Sequence, residues 1–254
     1  MATWNRALVT GASSGIGREK ARQLAADGTE LIAVARDEER LQQLADEVDV
    51  GCEVVVADLA DAGSVSRVED RLRGTSAPID LLVNNAGFGH QGLFHELDLE
   101  REAAVVDVNI VALHRLAHVA AVSMVASGRG GILNVSSMAG FMAAPGTATY
   151  AATKAFVTSL SEAMHSELAP LGVHVSALCP GFTRTEFQER ADYDTSKLPD
   201  FVWQSAEDVA AAGLAGIAAN RAVVVPGAKN KVGASLINLL PGATRRFVMD
   251  KFPR

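Results

Sequence analysis

The chain has 254 residues, 48% hydrophobic and 21% charged, with a formal net charge of −7. That is an ordinary globular balance, able to bury a core without staples, and its sign argues against nucleic acid as a partner. Cys52 and Cys179 are too few for a disulfide framework and match no metal spacing, so no metal is expected. The start of the chain has no signal-like apolar core, and no uncharged apolar stretch reaches membrane-spanning length, so the expectation is a soluble, cytoplasmic protein.

A short apolar run at 6–10 predicts the first strand, and a glycine-bearing turn and a helix to Ala26 follow it. Gly28 stops that helix. The second strand is expected at 31–35, then a charged helix over 37–48 with Asp37 as its cap. A third strand at 54–57 leads to Asp58 and a polar helix over 62–73. A fourth strand at 81–83 runs into Asn84, Asn85, Ala86 and Gly87. One long helix is expected over 100–126, apolar nearly all round in its second half. Such a helix must be covered on two sides, by the sheet and most simply by a second subunit. The fifth strand, 131–135, delivers Ser136 and Ser137, and a helix over 149–168 follows. A sixth strand at 173–178, an irregular stretch at 182–204, a helix from Ser205 to near Asn220 and a seventh strand at 222–225 complete the pattern.

The strands are continuous apolar runs that alternate with helices, as in a parallel sheet buried on both faces. The expected fold is α/β: a single Rossmann-type doubly wound domain over 1–254, with a seven-stranded parallel sheet and helices on both faces.

Three motifs carry chemistry. Gly11, Gly15 and Gly17 stand where the first strand meets the first helix. Glycine lets the backbone approach a diphosphate, and the helix start offers it free N–H groups. Tyr150 and Lys154 are four apart on one helical face. An ammonium there favours phenolate; bringing a tyrosine from ~10 to about 7 takes roughly 4 kcal/mol. The third motif is the serine pair ending the fifth strand. Consecutive residues point opposite ways, so only one of the two can face a substrate.

Taken together the chain resembles the short-chain dehydrogenase/reductases of the single-domain, ketoacyl-reductase-like kind. Thr10 to Gly17 matches that family's T-G-x-x-x-G-I-G, through Gly11, Ser13, Ser14, Gly15, Ile16 and Gly17. Asn84 to Gly87 matches N-N-A-G, Asn109 follows on the long helix, Tyr150 and Lys154 match Y-x-x-x-K, and Pro180, Gly181 and Thr185 match P-G-x-x-x-T. The resemblance covers about residues 6 to 186. It implies Tyr150 as general acid–base, Lys154 as holder of the ribose and aid to Tyr150, Ser137 as polariser of the carbonyl, and Asn109 as the residue whose backbone holds a water. The alternative for Asn109 is a buried structural amide. It also implies that Asp58, with Leu59 beside it, meets the adenine; that Asn85, Ala86 and Gly87 pass the ribose; and that Thr183 and Thr185 meet the nicotinamide amide and phosphates. Asp58 has a second reading as a helix cap.

NAD-preferring relatives usually end the second strand with an acid. Here Ala35 holds that place and Arg36 follows, able to pair with a 2′-phosphate, so NADP(H) is favoured over NAD(H). The alternative is that Arg36 stacks on adenine or faces solvent. The expected reaction is hydride transfer between nicotinamide and a carbonyl or secondary alcohol of an apolar substrate, ketoacyl or steroid-like, carried by an acyl carrier or CoA in one version. An NAD-linked alcohol dehydrogenase and a silent dinucleotide sensor or scaffold are the rivals. A homodimer or homotetramer is expected.

The 182–204 stretch is the expected substrate loop. Met138, Phe141, Met142, Phe182 and Phe187 suggest an apolar pocket or plain core packing. His90 and His95 read as loop residues that can line the mouth; His114 and His118 are four apart but lack companion ligands. The tail, 226–254, sets six bases against the single acid Asp250, with Val232, Leu236, Leu239 and Leu240 at helical spacing. It reads as a basic amphipathic segment for a membrane surface or an acidic carrier, or as packing over the pocket or a second subunit.

Overall fold

A computed structural model describes residues 3–142, 144–195 and 198–239. The apolar runs form seven strands: β1 (Arg6–Thr10), β2 (Glu30–Ala35), β3 (Cys52–Val56), β4 (Leu81–Asn84), β5 (Gly130–Val135), β6 (Val173–Leu178) and β7 (Val223–Val224). They make one sheet in the order β3-β2-β1-β4-β5-β6-β7, with every pairing parallel. The chain winds outward from β1 to β3, then returns to pair β4 with β1 on its other side. The reversal opens a crevice at the carboxyl ends of β1 and β4, where doubly wound sheets bind ligands.

The helices are α1 (Gly15–Ala26), α2 (Glu38–Glu47), α3 (Ala62–Arg73), α4 (Leu99–Val106), α5 (Leu113–Ser127), α6 (Ala148–Leu168), the short α7 (Phe187–Arg190), α8 (Ala206–Ala218) and α9 (Ala228–Leu239). Side chains alternate along each strand and so feed two cores. Ala7 and Val9 join Ala21, Leu24, Leu41, Leu44, Val209 and Ile217 beneath α1, α2 and α8. Leu8 and Ile32 join Val65, Val68, Leu72, Leu116, Ala120 and Met124 beneath α3 and α5. Asp37 caps α2 as expected, accepting from the Arg40 N–H at 3.0 Å.

Two expectations change. The cap of α3 is Asp61, which accepts from the Ser64 N–H at 2.7 Å; Asp58 instead accepts from the Ala60 N–H at 3.0 Å, three residues too early to cap. The long helix is not regular: Asp107–Ala112 is a π-helical segment between α4 and α5, and it holds Asn109. Such one-turn widenings gather at functional sites.

Counted as one run, Leu99–Ser127 is 29 residues, and its most apolar 18-residue window has a mean hydropathy of 1.5, long and apolar enough to cross a membrane by length and composition only. Much of that character is spent on the core: Leu113, Leu116, Ala117, Ala120 and Met124 are buried. Of its large apolar residues, Leu99, Val106, Val111 and Val122 stay exposed. In the tail, α9 starts at Ala228; the calls on Leu240, Pro241, Gly242, Arg245, Arg246, Asp250, Lys251 and Arg254 lie outside the described residues.

Candidate active site

Strand β5 ends at Val135 and hands the chain to Ser136 and Ser137, which diverge as alternation requires. Ser136 is buried against α6; its Oγ donates to the Lys154 carbonyl at 2.7 Å and pairs with Thr158 Oγ1 at 2.7 Å. Ser137 turns the other way, towards Tyr150, its hydroxyl close enough to draw the phenol's value down. It accepts from the Ala139 N–H at 3.1 Å, which fixes its position.

One turn along α6, Lys154 Nζ donates to the Val135 carbonyl at 2.9 Å and lies 5.7 Å from the centroid of the Tyr150 ring. Asn109, fully buried, reaches the same helix. Its Nδ2 donates to the Phe88 carbonyl at 2.9 Å and to Thr153 Oγ1 at 3.0 Å, and its Oδ1 accepts from the Phe88 N–H at 3.1 Å. Both Nδ2 donors and one acceptor position of Oδ1 are thus engaged, as in a structural amide.

Electrostatics differ from the sequence expectation. Burial pushes the Tyr150 hydroxyl up to about 12, with the nearby Ser137 hydroxyl as a smaller opposing effect. Burial also draws Lys154 down to about 8. The lysine aims its Nζ at a backbone carbonyl, so removal from water outweighs its pull on the phenol.

The glycine turn lies at the mouth of the β1/β4 crevice. Gly11 and Gly15 have φ of +67° and +53°, a region costly for any side chain. Ser14 starts α1 without a side-chain cap, leaving the first-turn N–H groups for an anion. Ser13 is half-buried beside it, and Ile16 packs against the core. Asn85 closes the turn from β4: its Nδ2 donates to the Thr10 carbonyl at 3.0 Å, and the Asn85 and Ala86 N–H groups donate to Thr10 Oγ1. A Cβ on Gly87 would stand 2.9 Å from Asn109 Oδ1 and 3.1 Å from Lys154 Nζ. Ala35 ends β2; the Arg36 side chain beyond it is 72% exposed, 4.0 Å from Asp58. Leu59 is buried in the core, so only its backbone is free to face a ligand.

Past β6, the Pro180 carbonyl accepts from the Met138 N–H at 2.9 Å. Gly181 lies against Asn230 of α9, and buried Thr183 bonds the Gly181 carbonyl at 3.1 Å. The Thr185 methyl faces Gly15, so the P-G-x-x-x-T segment roofs the glycine turn. The crevice is one that dinucleotide phosphates fit: uncapped N–H donors, glycines at the closest approach and no carboxylate on the turn itself.

A family profile described as short chain dehydrogenase matches residues 5–195. The chain is a short-chain dehydrogenase/reductase. Relatives include the Oxidoreductase UcpA of Salmonella typhimurium, 37% identical over 191 residues, 74% of this chain and 72% of that one. The 3-oxoacyl-[acyl-carrier-protein] reductase FabG of Escherichia coli is 33% identical over 180 residues, 71% of this chain and 74% of its own. Among solved structures, a short-chain dehydrogenase from Sphingobium yanoikuyae in complex with NADPH is 35% identical, covers 98% of this chain and 97% of its own, and has a TM-score of 0.84. The bulky-bulky ketone specific alcohol dehydrogenase of Comamonas testosteroni is 34% identical, covers 94% and 96%, and has a TM-score of 0.77.

In this dehydrogenase the described residues of 182–204 are organised. Gln204 pairs with Thr183 as an isolated bridge, and Phe182 stacks with Tyr193 and Trp203 at 5.7 and 5.8 Å. Phe182 and Met138 are therefore packing residues, while Phe187 stands 5.5 Å from the Tyr150 ring. A cleft of about 350 Å³ opens in the segment, lined by Arg184, Thr185, Gln188, Glu189, Tyr193, Thr195 and Trp203; Ser137 and Tyr150 do not line it. His95 is exposed, and His90 is not at the mouth: its Nδ1 pairs with buried Glu102 at 3.3 Å.

Sequence reasoning missed two residues here. Gly89 lies against the Tyr150 ring, and Lys20 is wholly buried under the glycine turn. Lys20 was detectable, because it falls on the helical stripe of Gly17, Ala21 and Leu24. Gly89 left no periodic trace.

Proposed function

We propose that this short-chain dehydrogenase/reductase interconverts a ketone and a secondary alcohol on an apolar substrate, with NADP(H) preferred to NAD(H). The observation that carries the reading is the nearness of the Ser137 and Tyr150 hydroxyls, with Lys154 one turn further along the same helix. Two O–H groups side by side can both be offered to a single carbonyl oxygen. Tyr150 gives that oxygen its proton, and Ser137 holds and polarises it. Lys154 keeps its charge up to about pH 8 and steadies the phenolate left behind. Asn109 contributes through its backbone in the π-helical segment. A nicotinamide, when bound, supplies or accepts the hydride.

The residues that would hold the dinucleotide are Gly11, Ser13, Ser14, Gly15, Ile16 and Gly17 at the phosphates, and Asp58, Leu59, Asn85, Ala86 and Gly87 along the adenosine. Tyr150, Lys154, Pro180, Gly181, Thr183 and Thr185 serve the nicotinamide end. Preference for the 2′-phosphate rests on neutral Ala35 and exposed Arg36. The NADPH of the Sphingobium neighbour supports it. The Comamonas neighbour's bulky ketones and the acyl-carrier thioester of the Escherichia coli relative both suit an apolar substrate entering past Phe187. Exposed Val111 and Val122, with Phe156 on α6, support a second copy of the chain as partner. The cytoplasm suits a chain with two free cysteines and such a cofactor.

NADPH oxidation followed by absorbance across a panel of ketones, with Tyr150→Phe as control, tests the reading. Turnover of bulky apolar ketones with NADPH is expected. Tight dinucleotide binding without turnover of any ketone or alcohol would favour a sensor.

A further inference from the structure

Lys20 has no exposed surface, and nothing in the proposed chemistry uses it. It stands on α1 one turn after Gly15 and Gly17. Its Nζ has a single hydrogen-bond partner among the described residues, Asn85 Oδ1 at 3.4 Å. The same Asn85 side chain donates from Nδ2 to the Thr10 and Gly11 carbonyls at 3.0 and 3.5 Å. Lys20 is therefore tied through one amide to the backbone of the glycine turn. An ammonium has three N–H donors, and one long bond leaves a buried one poorly satisfied.

Among the described residues no carboxylate bonds it. On its own helix, Arg18 pairs with Glu47 of α2, and Glu19 with Arg22. The nearby ends of β1 and β4 bring neutral Thr10 and Asn85. The charged ends of β1 and β2, Arg6 and Glu30, pair with each other at the opposite edge of the sheet. Helix α8 packs on α1 with buried Val209, Ala210, Gly213 and Ile217; its acids Glu207 and Asp208 are exposed at its first turn. Helix α6 contributes Lys154, a like charge. Burial first, and Lys154 second, hold Lys20 well below the ordinary lysine value.

We propose that Lys20 is a cofactor-gated cation: as the anionic diphosphate of the dinucleotide settles on the glycine turn, the Lys20 amine takes a proton from solvent and keeps it as positive charge beneath that diphosphate. The inference rests on the dinucleotide reading above. An arriving opposite charge stabilises the ammonium that burial alone disfavours. By linkage, binding then consumes protons, and affinity falls as pH rises through the range where free Lys20 is neutral.

Calorimetric titration of NADPH into the full chain tests this, in two buffers of different ionisation heat at one mildly alkaline pH. The wild type should show buffer-dependent heats equivalent to a fraction of a proton taken up. Lys20→Met should lose that fraction and bind about tenfold more weakly, the loss of one charge interaction. Without cofactor, the same variant should melt at a higher temperature, because an apolar chain replaces a buried amine. If Lys20→Met fails to fold, Lys20→Arg serves: charged at every working pH, it should bind NADPH without proton uptake. Wild-type heats equal in both buffers would overturn the proposal. So would uptake that persists in the variants, which would point to Lys154. A wild type that binds no dinucleotide would sink the functional reading as well, a result distinct from binding without proton exchange.

Discussion

The backbone of Gly89 lies flat against the ring of Tyr150: a Cβ added there would stand 2.6 Å from Cδ2 and 2.9 Å from Cγ. Those ring atoms are held from below by α6 and from the side by Phe187 at 5.5 Å, so the phenol has little room to yield. Gly89→Ala should tilt the ring and move its hydroxyl away from that of Ser137. A loss of about 100-fold in kcat, the cost of a misplaced acid by roughly an ångström, is expected with unchanged NADPH affinity. Steady-state kinetics with a separate binding titration check both halves.

Neighbouring serines should separate chemistry from stability. Ser137→Ala removes the hydroxyl beside that of Tyr150, and Tyr150→Phe removes the proton itself; losses of about 10²- to 10⁴-fold in kcat are expected, with folding intact. Ser136→Ala instead strips buried bonds to the Lys154 carbonyl and Thr158. It should cost about 1–3 kcal/mol of stability with smaller effects on turnover. Thermal melts beside kinetics for the three variants decide. A Ser136 variant as inactive as the Ser137 one, at full stability, would reverse the assignment.

What the sequence made legible follows from periodicity. Seven apolar runs and the helical stripes between them set the parallel sheet, and the four-residue step from Tyr150 to Lys154 put both on one face. Strand alternation required the two serines to diverge, as Ser136 and Ser137 do, while the choice of Ser137 came from the family resemblance. The π-helical segment was invisible, because one extra residue in a turn shifts phase without changing composition. The direction of the Tyr150 shift was misjudged for a related reason: spacing reports that a lysine is near, not how far both groups are withdrawn from water.

The pH profile follows from Lys154 at about 8 and Tyr150 at about 12. Ketone reduction needs Tyr150 protonated and Lys154 charged, so kcat/KM should fall as pH rises past about 8, the lysine limb coming first. For stability the sign is opposite. The folded-state value of Lys154 lies below the unfolded one, so its buried charge costs stability below about pH 8, and that cost fades as pH rises toward the ordinary lysine value. Tyr150 is raised, so its contribution is lost only above the ordinary tyrosine value. Lys154→Met should flatten the rise in stability, as melts across pH would show.

Cofactor preference should turn on Arg36. Its guanidinium is exposed and 4.0 Å from Asp58, a weak surface pair that a 2′-phosphate can outcompete. Arg36→Ala should raise the KM for NADPH about 10- to 100-fold and leave that for NADH within a factor of about two, the cost of a charge-assisted bidentate contact. Ala35→Asp should move preference further toward NADH. Equal KM values for both cofactors in the wild type would remove the role given to Arg36.

The long helix gives the last expectation. Core packing absorbs Leu113, Leu116, Ala117, Ala120 and Met124, yet Val111 and Val122 remain open on the outer side, with Phe156 of α6 exposed as well. His114 bridges the two helices, its ring 6.5 Å from that of Phe156. Apolar side chains on two adjacent helices make a face that water disfavours, and a second copy meeting it across a two-fold axis would cover both at once. A charge introduced there would be desolvated on association without a partner. Val122→Glu should therefore shift the protein toward monomer in light scattering, while the isolated subunit keeps its circular dichroism. A wild type that is monomeric at micromolar concentration would remove the second subunit from the account.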